Sequence, residues 1–147
     1  MKLARWMGGA AGVVALAVGS YAAGANAIGI ILPARELKWA PEAPGLPQQM
    51  VTLWGDRKKG EAAVLIKVPA GWEAGLHAHT ADYHAVLVAG TWIHTVEGTD
   101  AGQELPPGSY WMQPAKEMHN DRCKEGAECV VLVHTDEKIE LIPGATK

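Results

Sequence analysis

The sequence predicts an all-β domain, an antiparallel sandwich or barrel, from three observations. Apolar residues come in short runs rich in branched side chains. Turn residues interrupt those runs roughly every eight to twelve positions. No long segment carries a helical apolar period. The first run is 50–55, followed by Asp-Arg-Lys-Lys-Gly as a turn. The run 62–68 ends at Pro69-Ala70-Gly71. A short strand is expected at 76–79, then a longer one at 83–89 that stops at Gly90 and returns as 91–96. Residues 97–102 are polar and turn-like. Pro106-Pro107-Gly108 precedes a strand at 109–113, which Pro114 ends. The run 128–134 is strongly apolar, and 138–142 closes the domain.

Ahead of this pattern lie two other segments. Residues 1–27 read as a secretory signal peptide: Lys2 and Arg5 give a positive start, 10–18 are apolar, and Ala25-Asn26-Ala27 is a cleavage site. The alternative is an uncleaved membrane anchor, for which the apolar run is short. Arg5 is followed by Trp6, so no paired arginine is present and export in the unfolded state is expected. The expected location is periplasmic or secreted, with no stable membrane association after cleavage. Residues 28–49 hold four prolines and few regular patterns, and are read as an irregular arm, with Trp39 as its anchor. Residues 50–147 are the β domain. Cleavage removes two basic and no acidic residues, taking the formal charge from −3 to −5. No basic patch remains to suggest nucleic acid as a partner.

Two cysteines, Cys123 and Cys129, flank a polar stretch containing Gly126. In an oxidising compartment the expected arrangement is a disulfide across a hairpin loop. Two free thiols and an intermolecular bond are the alternatives.

The histidines carry the functional signal. His77 and His79 are two apart, so on a strand they share a face. His84 and His119 complete a set of four among the six histidines of the chain. Imidazole suits Fe, Ni, Cu and Zn and tolerates Mn, so the set is read as a cage for one divalent transition metal ion. His94 and His134 are read as surface or hydrogen-bonded residues.

These residues resemble the motifs of the cupin superfamily. The first motif of that family runs Gly, five residues, His-x-His, three or four residues, Glu, six residues, Gly. Here Gly71, His77-Ala78-His79 and then His84 and Gly90 follow it, with His84 where the family has Glu and Gly90 one residue early. The second motif is matched by Pro106-Pro107-Gly108, Tyr110, Pro114 and His119. The resemblance covers about residues 51–142. It implies a cupin-type antiparallel β-barrel, a double-stranded β-helix or jelly roll, with His77, His79, His84 and His119 as inward metal ligands. It also implies a small-molecule ligand or substrate, and association as a homodimer.

Tyr83, next to His84, is expected to face away from the site and pack. Of Tyr110 and Gln113, one parity faces the cavity, and the sequence leaves open which. Glu117 is read as a solvated rim residue. Trp54, Trp72, Trp92 and Trp111 are read as core bulk in a chain without phenylalanine, with pocket lining as the alternative. The function expected is that of an exported metalloenzyme, a dioxygenase-like oxidoreductase acting on a small oxygenated molecule. The alternatives are a metal-dependent binding or sensing module, and an isomerase or lyase using the metal as Lewis acid. Because ligating imidazoles must be neutral, metal binding is expected to weaken well below pH 6.5.

Overall fold

The computed structural model describes residues 29–99 and 102–144, and the segment read as a signal peptide lies outside them. From Leu32 onward the chain forms one compact unit. A 3-10 turn at Ala34–Glu36 leads into β1 (Ala40–Pro41), which pairs with β2 (Gln49–Gly55). The proline-rich arm therefore ends as an edge strand, a place where proline removes no needed hydrogen bond. Trp39 sits under the ammonium of Lys67, 4.5 Å from the ring centre.

The strands that follow are β3 (Ala62–Val68), β4 (His77–His79), β5 (Tyr83–Ala89), β6 (Trp92–Val96) and β7 (Gln103–Leu105). They continue as β8 (Tyr110–Gln113), β9 (His119–Cys123), β10 (Cys129–Thr135) and β11 (Leu141–Pro143). Two sheets form, ordered β1-β2-β3-β10-β5-β8 and β11-β4-β9-β6-β7, with every pairing antiparallel. The chain passes from one sheet to the other after β3, β4, β5, β7, β8, β9 and β10. This is the all-β jelly-roll class that the sequence predicts, built as two facing sheets.

Alternation along the strands decides which residues face inward. On β5, Tyr83, Ala85 and Leu87 are buried while Val88 is exposed; on β10, Cys129, Val131 and Thr135 are buried. All of these inward residues but Thr135 join Val68, Trp92 and Cys123 in the core. Gly90 turns β5 into β6 with φ +84°, and a Cβ there would lie 2.6 Å from the Glu128 carbonyl oxygen. Only glycine fits both demands.

The disulfide joins Cys123 to Cys129, with Cα atoms 5.8 Å apart. Its setting differs from the hairpin expected. Cys123 ends β9 in one sheet and Cys129 opens β10 in the other, so the bridge ties the two sheets together across a crossover loop.

Candidate metal centre

β4 and β9 meet through one register pair, His77 opposite His119. That pairing brings the two rings to 4.3 Å between centroids, and His79, two residues along the same face, stands 5.1 and 5.5 Å from them. One ligand atom from each of the three lies within 4.8 Å of the others. Nδ1 of His77 donates to the Gly75 carbonyl at 2.8 Å, and Nδ1 of His119 donates to the Glu117 carbonyl at 3.0 Å. These bonds fix the tautomer and leave Nε2 of both rings as free electron-pair donors, as is common for metal-bound histidines whose other nitrogen is hydrogen-bonded. His119 is fully buried and His77 nearly so.

The protonation chemistry fits the same purpose. Burial, then the neighbouring His77 and His119, holds His79 down at about 4. Burial likewise lowers His119. Both rings are therefore neutral at physiological pH, the form that binds metal. The donor set and its hydrogen bonding fit a divalent ion held by His77, His79 and His119.

His84 does not join them, which corrects the four-histidine expectation. It lies on the outward side of β5, where Nδ1 meets the Tyr110 hydroxyl at 2.8 Å and the ring stacks on Tyr110. The inward residue is Tyr83, 5% exposed, with its hydroxyl 3.4 Å from Nε2 of His119. The expected orientations of this neighbouring pair are thus reversed. Burial, then the charge of Asp121, pushes the Tyr83 phenol up, so it is a neutral phenol in the metal-free site. On β8 it is Gln113 that faces inward, 1% exposed, while Tyr110 is 61% exposed.

Sequence reasoning missed Asp121. It sits two residues after His119 on the same face of β9, and is buried. Oδ1 accepts from the Trp92 indole at 2.9 Å and from Nδ1 of His94 at 2.8 Å, while Oδ2 stands 3.5 Å from Nε2 of His119. Burial alone would raise this carboxyl, but the His94 hydrogen bond and charge outweigh it and hold Asp121 ionised. The alternation that pairs His77 with His79 was the available signal for Asp121, applied to a strand the sequence had not shown.

A cavity of about 160 Å³ opens between the sheets, small beside the ~300–1,000 Å³ of drug-sized ligand sites. His77, His79 and Asp121 line it from one sheet, and Tyr83, Val64, Val131 and Val133 from the other. Trp72, Trp92 and Trp111 form a stacked row, 5.9 and 6.3 Å between centroids, along its wall. Three of the four tryptophans read as core bulk thus line the cavity; Trp54 instead packs on His134. Arg57 also lines the cavity, held by Glu42 at 2.7 Å. A second grouping, Glu61, His134 and Asp136, is open to solvent at its two carboxylates.

Solved structures share this architecture. An RmlC-like cupin protein from Ralstonia eutropha is 23% identical, with a TM-score of 0.62 over 77% of this chain and 71% of that one. The polyketide cyclase RemF from Streptomyces resistomycificus is 15% identical, TM-score 0.64, over 82% and 88%. A sugar phosphate isomerase of the cupin superfamily from Silicibacter pomeroyi is 13% identical, TM-score 0.58, over 73% and 75%. No curated protein matches the sequence. The fold is that of the cupins, and a family model described as a domain of unknown function, DUF4437, matches residues 33–138, so the chain belongs to that family.

Proposed function

We propose that this protein is an exported, metal-dependent enzyme that uses a divalent ion as Lewis acid on a small oxygenated molecule. The observation that carries the reading is the convergence of His77, His79 and His119, two of them with Nδ1 already tied to a carbonyl, on a small cavity that also contains an ionised carboxylate. When bound, a divalent ion supplies polarisation of a substrate carbonyl or hydroxyl oxygen. Three neutral imidazoles add no negative charge, so a bound divalent ion there draws electron-rich oxygens.

The rest follows from the chain's own residues. The tryptophan row and the valines of β3 and β10 exclude water and hold a flat or compact substrate. Oδ1 of Asp121 is fully engaged, whereas Oδ2 stands toward His119 with no other side-chain donor among the described residues and is placed to accept a proton from the substrate. His94 steadies that carboxylate and returns the charge balance. The named activities among the structural neighbours reported above, a cyclase and an isomerase, are in keeping with this chemistry. For location, the disulfide supports an oxidising compartment.

The test is a screen of metal-reconstituted protein against small diketones, phenols and sugar acids, following both substrate conversion and dioxygen uptake. Metal-dependent conversion without oxygen uptake is expected. Metal-dependent oxygen uptake would restore the dioxygenase reading. Stoichiometric metal with no conversion of any compound would favour a binding module.

A further inference from the structure

We propose that the hydroxyl oxygen of Tyr83 is the fourth protein ligand of this centre, standing where the related motif carries its glutamate. The inference rests on the metal-site reading above and deepens it. Its first support is spacing. From Gly71, five residues lead to His77-Ala78-His79, three more to Tyr83, and six more to Gly90. Every interval of the motif is met with Tyr83 in the glutamate position, whereas His84 leaves the last interval one residue short.

The second support is orientation. Tyr83 opens β5 on the buried side with Ala85 and Leu87, and its ring meets His79 edge-on at 5.2 Å. The third is distance. The hydroxyl stands 3.4 Å from Nε2 of His119, long for a hydrogen bond to a phenol. Two ligands each about 2.0–2.1 Å from one ion are about 3.4 Å apart in tetrahedral geometry. Asp121 Oδ2 stands at a comparable 3.5 Å from Nε2 of His119, but two hydrogen bonds to Oδ1 hold its carboxylate toward Trp92 and His94, and it does not occupy the glutamate position of the motif.

Coordination exchanges the phenol O–H bond for an oxygen–metal bond, and the proton leaves to bulk water; nothing is oxidised or reduced. A divalent ion held by three neutral imidazoles and one phenolate carries a net charge of +1, the value a glutamate would have given.

Metal-free wild type and Tyr83→Phe are titrated with copper(II), following heat, visible absorption and resonance Raman scattering. Wild type is expected to bind one copper per chain and to develop a phenolate-to-copper charge-transfer band with enhanced tyrosine ring modes. Tyr83→Phe should lack both signals and bind at least about 10-fold more weakly. Stoichiometric copper in wild type without the band would overturn the assignment while leaving the three histidines in place. No copper binding at all would overturn both readings. Should Tyr83→Phe fail to fold, the wild-type spectrum decides alone.

Discussion

Metal-free protein should lose stability as the pH falls below the ordinary histidine range, with His79 responsible for a measurable share. Burial and the charges of His77 and His119 hold this ring at about 4, against 6.5 for an unconstrained histidine. The folded state therefore refuses a proton that the unfolded chain accepts. A depressed histidine leaves the fold at full stability above 6.5, erodes it between 6.5 and about 4, and adds no further loss below. At about 1.4 kcal/mol per pH unit the full gap is worth roughly 3 kcal/mol, of which roughly 2.5 is expressed by pH 4.5. Solvent at the partly exposed edge of the ring makes these ceilings. His119, also lowered, acts in the same sense. His94 is raised: burial opposes the shift, but the Asp121 hydrogen bond and charge outweigh it. It therefore adds stability below 6.5 that disappears as pH rises through its folded value. The assay is urea unfolding of metal-free wild type and His79→Gln at pH 8 and pH 4.5. Wild type should lose about 2 kcal/mol more than the variant between the two pH values. Equal losses would refute the argument. Because His79 stays neutral well below 6.5, metal retention should also extend to lower pH than an unconstrained histidine would allow.

Other consequences are direct. His84→Ala should leave metal stoichiometry and affinity unchanged by elemental analysis and calorimetry, because the ring stacks on Tyr110 on the outward face of its sheet. His119→Gln should weaken binding by more than about 100-fold in the same assays, beyond the 10–100-fold typical of outer-shell partners. Opening the Cys123–Cys129 bridge, which spans six positions, should cost about 2 kcal/mol of unfolding free energy by the loop-entropy relation; an unchanged urea midpoint after reduction would contradict it. Leu87→Ala removes one of the largest fully buried side chains and should cost about 2–5 kcal/mol in urea unfolding.

The strands most legible in the sequence are those built from apolar runs. β3, β5 and β10 are runs of valine, leucine, alanine and isoleucine bounded by turn residues, and the expected runs fall on them within a residue or two. β9 was invisible for the opposite reason. Its inward residues are His119, Asp121 and Cys123, and its outward ones are Asn120 and Arg122. No hydrophobic period exists where the buried side chains are ligands, an acid and half a disulfide. β7 is short and largely exposed, and β1 is two residues long, so neither carries enough burial to leave a pattern. Placing the cysteines in one hairpin was a consequence of missing β9, since without that strand the bridge had no second sheet to cross to.

The site was legible to within one residue, and that residue matters. In a strand each single-position slip moves a side chain to the opposite face. His84 is the better-known ligand type, and Tyr83 has the better spacing; placing His84 inward turns the wrong half of β5 to the cavity. Counting back from Gly90, which its close approach to Glu128 restricts to glycine, fixes the phase: seven residues earlier is Tyr83, on the same side as Leu87 and Val131, the buried packing of the core. A fixed backbone point is a firmer guide to phase than the chemistry of any one side chain, because the turn constrains geometry whatever ligand evolution places on the strand. The same phase then carries from His119 to Asp121 and, across the register pair, to His94. One glycine and strict alternation thus lead to Tyr83, Asp121 and His94 from a sequence in which His77, His79, His84 and His119 declared themselves by type.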